Sequence, residues 1–174
     1  MKPTHFAIYR EELHHEDEEN YFYEIHVVNP NNQPNRDNLV ALKPIPKKYL
    51  DEINQTIEEG KKTLLFKKEQ KTFKLGYIGY EILNSKGRKE ASTWCYYPRT
   101  NINATIGRTK ARKIGTYLER VVLSHLIKTI PEITHASSSG EQWSSREEQL
   151  ERLGMKKEGT KYIEPVNNWL AKLK

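Results

Sequence analysis

Residues 108–127 read RTKARKIGTYLERVVLSHLI, and the organisation of the chain follows outward from this stretch. Ala111, Ile114, Leu118, Val121, Val122 and Leu126 recur at intervals of three and four, one face of an amphipathic helix over 108–127. Its first turns are basic: Arg108, Lys110, Arg112 and Lys113 crowd together, and no acidic residue falls between Glu90 and Glu119. A helix N-terminus already carries roughly +0.5 charge, so each cation there costs about 0.3–1 kcal/mol. Unpaired backbone N–H groups add further donors. A bound phosphate or pyrophosphate would offset that cost through amide and side-chain hydrogen bonds. The alternative is a frayed start whose cations point into water.

On the N-terminal side of this helix, Phe73–Leu83 and Glu90–Tyr97 read as two strands joined by Asn84-Ser85-Lys86-Gly87, a turn, and hence as an antiparallel hairpin. Further back, Pro46 opens a helix in which Leu50, Ile53 and Ile57 repeat, with Gly60 as its stop. Leu64–Phe66, His5–Arg10 and Tyr21–Val28 are predicted strands, and Asn29–Asn35 is a loop. On the C-terminal side, Pro131 ends the basic helix and Ile133–Ser137 is a strand. Ser144-Ser145-Arg146-Glu147-Glu148 holds two overlapping capping boxes that open another helix, which Gly154 ends; Thr160–Glu164 is a last strand. Strands and helices alternating behind a hairpin predict an α+β fold, a mixed sheet covered by helices on its faces.

The chain has 174 residues, one domain's worth, with an acidic part over 1–60 and a core over about 61–165. Three Trp, ten Tyr and four Phe argue against general disorder despite 30 % charged residues. No apolar run approaches the ~18 residues that span a bilayer, and the first residues lack a signal peptide's pattern. A cytoplasmic protein without membrane attachment is the expectation. A single cysteine, Cys95, excludes an internal disulfide and a multi-cysteine zinc site. His14 and His15 would point to opposite faces of an extended segment, so no metal is expected. Net charge is +6, divided unevenly: 6 basic and 12 acidic residues over 1–60, against 23 and 11 over 61–174. That asymmetry suits an anionic partner for the C-terminal part, or simply a solvated Lys/Glu-rich surface.

The run Tyr97-Pro98 followed by Lys110-Ala111-Arg112-Lys113-Ile114-Gly115 resembles the acetyl-CoA signature of the GNAT N-acyltransferase superfamily, R/Q-x-x-G-x-G/A at the start of an amphipathic helix. Lys110 falls on the Arg/Gln position, Lys113 on the first Gly and Gly115 on the second. Leu150-Glu151-Arg152-Leu153-Gly154-Met155 is similar to the end of the family's late helix, and the order of elements from residue 46 onward also matches. The resemblance implies a GNAT-like fold, a central, mostly antiparallel sheet with helices on both faces, with acetyl-CoA, or another acyl-CoA, as co-substrate. It implies that Arg108, Lys110, Ala111, Arg112, Lys113, Ile114 and Gly115 surround the pyrophosphate, and that Trp94 and Tyr96 lie where strand backbone holds the pantetheine arm. Leu150 stands where many members carry a tyrosine general acid, and Trp143 where an asparagine is frequent. Arg99–Gly107 is an insert, read as a lid or an acceptor-binding loop.

Transfer to an amine needs a base for the ammonium and an acid for the leaving thiolate. Glu81 and Glu90, on the hairpin strands, are candidate bases; Glu81 is favoured because Tyr80 and Ile82 are expected to shield it and raise its pKa. His135 is a third titratable candidate, and Tyr162 a replacement acid. Cys95 has no neighbouring cation to activate it and reads as packing. The function expected is acyl transfer to a small-molecule or protein amine. The alternatives are a nucleic-acid-binding module, favoured by cations near Trp94, Tyr96, Tyr97 and Trp143, and a non-catalytic CoA-binding protein. The oligomeric state is left open, a homodimer included.

Overall fold

The structure is a computed structural model that describes residues 2–11, 19–32, 36–62, 72–96, 108–139 and 144–173. Its class is mixed α+β, with eight strands and four α-helices among the described residues. The chain forms two compact units. One is drawn from Met1–Glu11, Tyr23–Tyr77 and Tyr97–Gly115, the other from Glu12–Phe22, Ile78–Tyr96 and Thr116–Lys174.

In the first unit the neighbouring strands run β3 (Leu39–Pro44), β1 (His5–Glu11), β2 (Asn20–Val28) and β4 (Thr72–Ser85), the last two continuing into the other unit. Residues 39–44 carry no polar–apolar alternation. They become a strand because β1 supplies an antiparallel partner, from His5↔Pro44 to Tyr9↔Leu39. Phe6, Ile8, Tyr23, Ile25, Val27, Phe73 and Leu75 are buried, as are Ile53 and Ile57 of α1 (Lys47–Lys62). Gly60 does not stop α1. It is itself buried inside the helix, which runs two residues further, where Lys61 and Lys62 meet Glu58 and Glu59 one turn back. Cations in a last turn suit the helix dipole. The expected strand at Leu64–Phe66 lies outside the described residues.

The second unit contains the predicted hairpin. β4 pairs with β5 (Arg88–Tyr96) across a turn in which Lys86 and Gly87 both take positive φ, 54° and 73°. Two left-handed residues in a two-residue connection match the right-handed twist of the strands. β5 pairs in parallel with β6 (His135–Ser139), and β6 pairs antiparallel with β8 (Lys161–Pro165), which also carries the short β7 (Lys157–Glu158). The parallel pair is bridged in sequence by α2 (Arg108–Thr129), since parallel neighbours need a crossover. β6 begins two residues later than its β-branched start predicts: the Ile133 amide still bonds back to the Ile130 carbonyl at 3.2 Å, and pairing with β5 starts at Glu90↔His135. α3 (Ser144–Arg152) ends as expected at Gly154, where φ is 75°. The Met155 and Gly154 amides bond back to the Leu150 and Glu151 carbonyls, both at 3.0 Å, a Schellman cap. A terminal helix, α4 (Val166–Lys172), lies against β8 and β6.

Among the described residues no helix is long and apolar enough to cross a membrane.

Candidate functional site

In the second unit the parallel ladder between β5 and β6 is short: four pairs, from Glu90↔His135 to Thr93↔Ser138. β5 continues beyond it to Tyr96. At the same point the register of β5 against β4 slips. Tyr80 faces Thr93 but Gly79 faces Cys95, so Trp94 is an extra residue without a partner in that ladder. Such a bulge bends the strand and re-aims its groups. The Trp94 side chain is exposed, and its ring lies 6.0 Å from that of Phe22. The backbone of Tyr96 pairs with Ile78, while the side chains of Cys95 and Tyr96 lie outside the described residues.

The three candidate titratable groups are differently placed. Glu81 sits opposite Ser92 and is exposed. The expected shielding by Tyr80 and Ile82 fails because successive strand residues point to opposite faces; both neighbours are buried while Glu81 meets solvent. Glu90, by contrast, is 1 % exposed. One of its carboxylate oxygens accepts hydrogen bonds from the Ser137 hydroxyl and, at 2.7 Å, from the Lys161 ammonium. Parallel registry puts Glu90 beside His135, and hence on the same face as Ser137. His135 is half-buried, with Nδ1 2.8 Å from the Thr134 hydroxyl. Tyr162 is buried and donates to Glu151 at 3.0 Å; burial, reinforced by that carboxylate, pushes its pKa up to about 12. Among the three, Glu81 alone keeps a carboxylate with no hydrogen bond or ion pair to another described residue.

The basic start of α2 belongs to the first unit as far as Gly115. The side chains of Arg108, Lys110 and Ala111 lie outside the described residues, as do Arg99–Gly107, Tyr97-Pro98, His14-His15 and Trp143. Arg112 is 9 % exposed, Ile114 and Gly115 are buried, and Lys113 is exposed. Lys113 and Ile114, with Lys48, Tyr49 and Glu52 from the first two turns of α1, line a pocket of about 260 Å³ within this unit. The Lys48 ammonium stands 5.0 Å from the Tyr49 ring centroid.

Two polar clusters escaped the sequence reading. In the second unit Arg146 pairs with Glu119 and donates to Ser138 at 3.2 Å and Gln149 at 3.0 Å; Gln149 in turn donates to Thr116 at 3.0 Å. All five residues are buried. The only sequence signal is a three-residue spacing, Thr116 to Glu119 and Arg146 to Gln149, which puts each pair on one helix face. In the first unit the buried His26 bonds Glu24 at 3.1 Å and meets the Tyr9 ring edge-on at 5.1 Å. Burial holds the His26 pKa below its ordinary value, against the opposing pull of Glu24. Glu24 is itself held low: burial would raise it, but His26 and Lys74 outweigh that. Among the described residues no group of three His, Cys, Asp or Glu is placed to hold a metal ion.

No family model matches the chain, and no curated protein or solved structure matches it.

Proposed function

We propose that this chain is an acyl-CoA-dependent N-acyltransferase, moving an acetyl or other acyl group from CoA to an amine, as the GNAT resemblance implies. The observation that supports this reading best is the end of the parallel ladder at Thr93↔Ser138, followed at once by the bulge at Trp94. Over residues 94–96 the β6 side of β5 is not engaged by β6, so backbone groups there can pair with an extended ligand arm that carries its own amides. Pantetheine is such an arm. A main-chain amide set out of its ladder by a bulge can donate to the thioester oxygen as negative charge develops on it.

In this reading the acceptor ammonium first loses a proton, and the neutral nitrogen attacks the thioester carbonyl. A C–N bond forms and the C–S bond breaks. The thiolate takes up one proton, giving CoA thiol and an amide with one proton released to solvent. Glu81 is the proposed base, acting directly or through water, because its carboxylate makes no hydrogen bond or ion pair to another described residue and it lies two residues from the bulge partner Gly79. Glu90 holds Lys161 and Ser137 instead. The backbone amides of the first turn of α2, with Arg108, Lys110 and Arg112, are proposed to bind the CoA phosphates, the ligand that makes cations at a helix N-terminus favourable.

A thermal-shift and calorimetric screen tests this directly, because a ligand that binds only the folded chain stabilises it by mass action. CoA should raise Tm and bind saturably, and Lys110→Glu should weaken it at least tenfold. Stabilisation by an oligonucleotide with none by CoA would overturn the reading in favour of nucleic-acid binding.

A further inference from the structure

We infer that the pocket between the first turns of α1 and the second turn of α2 is a binding site for an α-amino dicarboxylate, a small molecule with two carboxylates and one ammonium. The pocket lies wholly within the first unit, and among the described residues its charged lining is Lys48 and Lys113, positive, and Glu52, negative. Among the described residues these opposite charges form no ion pair with one another, although they line one cavity. Lys48 stands over the Tyr49 ring rather than reaching Glu52 one turn on, the less favourable direction for a Lys–Glu helix pair. Among the described residues the pocket therefore presents two cations and one anion that are not matched to one another. The complement is a ligand of the opposite count.

Size and sign narrow the class. At about 260 Å³ the pocket is just below the ~300–1,000 Å³ of sites for larger ligands, and suits a single small metabolite. A phosphate or pyrophosphate would satisfy the lysines but bring its charge against Glu52, a repulsive element that selects against purely anionic ligands. An ammonium on the ligand turns that repulsion into a charge-assisted hydrogen bond. Ile114, buried, and Tyr49 supply apolar surface for the carbon chain between the charged ends. That the bound amine is also the acyl acceptor rests on the acyltransferase reading; that it binds does not.

Calorimetry on the whole chain without CoA decides the matter, using L-glutamate as probe with glutarate (no amine), glycine (one carboxylate) and inorganic pyrophosphate as comparisons. Saturable L-glutamate binding at least tenfold tighter than glutarate and glycine is expected, with pyrophosphate a poor competitor of bound L-glutamate. Glu52→Gln should erase the preference for L-glutamate over glutarate, and Lys113→Gln and Lys48→Gln should each weaken both dicarboxylates while leaving that preference. No saturable L-glutamate binding, equal affinity for glutarate in the wild type, or displacement of bound L-glutamate by pyrophosphate at lower concentration than by glutarate would overturn the assignment. Lys48 and Lys113 are exposed and Glu52 is half-buried, and the Tm of each variant without ligand reports its folding independently of binding. L-glutamate binding to a chain that does not bind CoA would sink the transferase reading and leave this assignment standing.

Discussion

Arg146 of α3 donates to Glu119 of α2 inside the second unit, and both side chains are closed to solvent, 2 % and 0 % exposed. The guanidinium is satisfied further by Ser138 and Gln149, whereas Oε2 of Glu119 has no hydrogen-bond partner among the described residues. Removing one member of a buried pair strands the other charge. Arg146→Met should therefore destabilise the chain by about 3–5 kcal/mol, whereas Arg146→Met combined with Glu119→Leu should recover much of that loss. Equilibrium urea unfolding of both variants measures this, and equal losses in the two would show that the charge was not the cause.

Turnover should depend on Glu81 and not on Cys95. Glu81→Gln is expected to lose acyl transfer with CoA affinity unchanged, and Cys95→Ala to retain most of it. Glu90→Gln should instead lower Tm, because the Lys161 ammonium loses a charged acceptor. Thiol-release assays and thermal melts on the three variants separate these roles. Activity surviving in Glu81→Gln and vanishing in Cys95→Ala would replace the base mechanism with a covalent one.

Two groups predict a fall in stability toward acid, in different windows. Burial lowers the His26 pKa in the folded chain, so the unfolded chain binds a proton first, near pH 6.5, and stability declines as pH falls below that. Glu164 is held low: burial would raise it, but the Lys172 ammonium and the Lys156 amide outweigh that. A depressed carboxylate contributes stability above its unfolded pKa of about 4.3 and loses it as pH falls through the folded value. His26→Phe should flatten the first window and Glu164→Gln the second, in urea melts from pH 8 to 3. A slope unchanged by either substitution would assign the acid sensitivity elsewhere.

Gly154 closes α3 at φ 75°, and nothing stands within 4 Å of where a Cβ would be. The cost of Gly154→Ala is then backbone conformation alone, about 1–2 kcal/mol, read as a drop in denaturation midpoint. A neutral substitution would mean that the cap relaxes out of the left-handed region.

The local code is plain in the sequence. The repeat from Ala111 to Leu126 gives α2, Asn84–Gly87 gives the hairpin turn, and Gly154 gives the end of α3, because each depends on neighbours within a turn or two. Charge alone also marks the start of α2 as unusual. What tertiary structure decided is whatever depends on residues far apart in the chain. Residues 39–44 are a strand only because β1 offers an edge, and Glu81 and Glu90 part company because one faces solvent and the other meets Ser137 and Lys161. The joining of Lys113 to Glu52, sixty-one positions earlier, in one pocket is of the same kind. Periodicity specifies which face of an element is apolar, but not which charged side chains another element brings against it; that choice is made only when the strands pair and the helices settle on them.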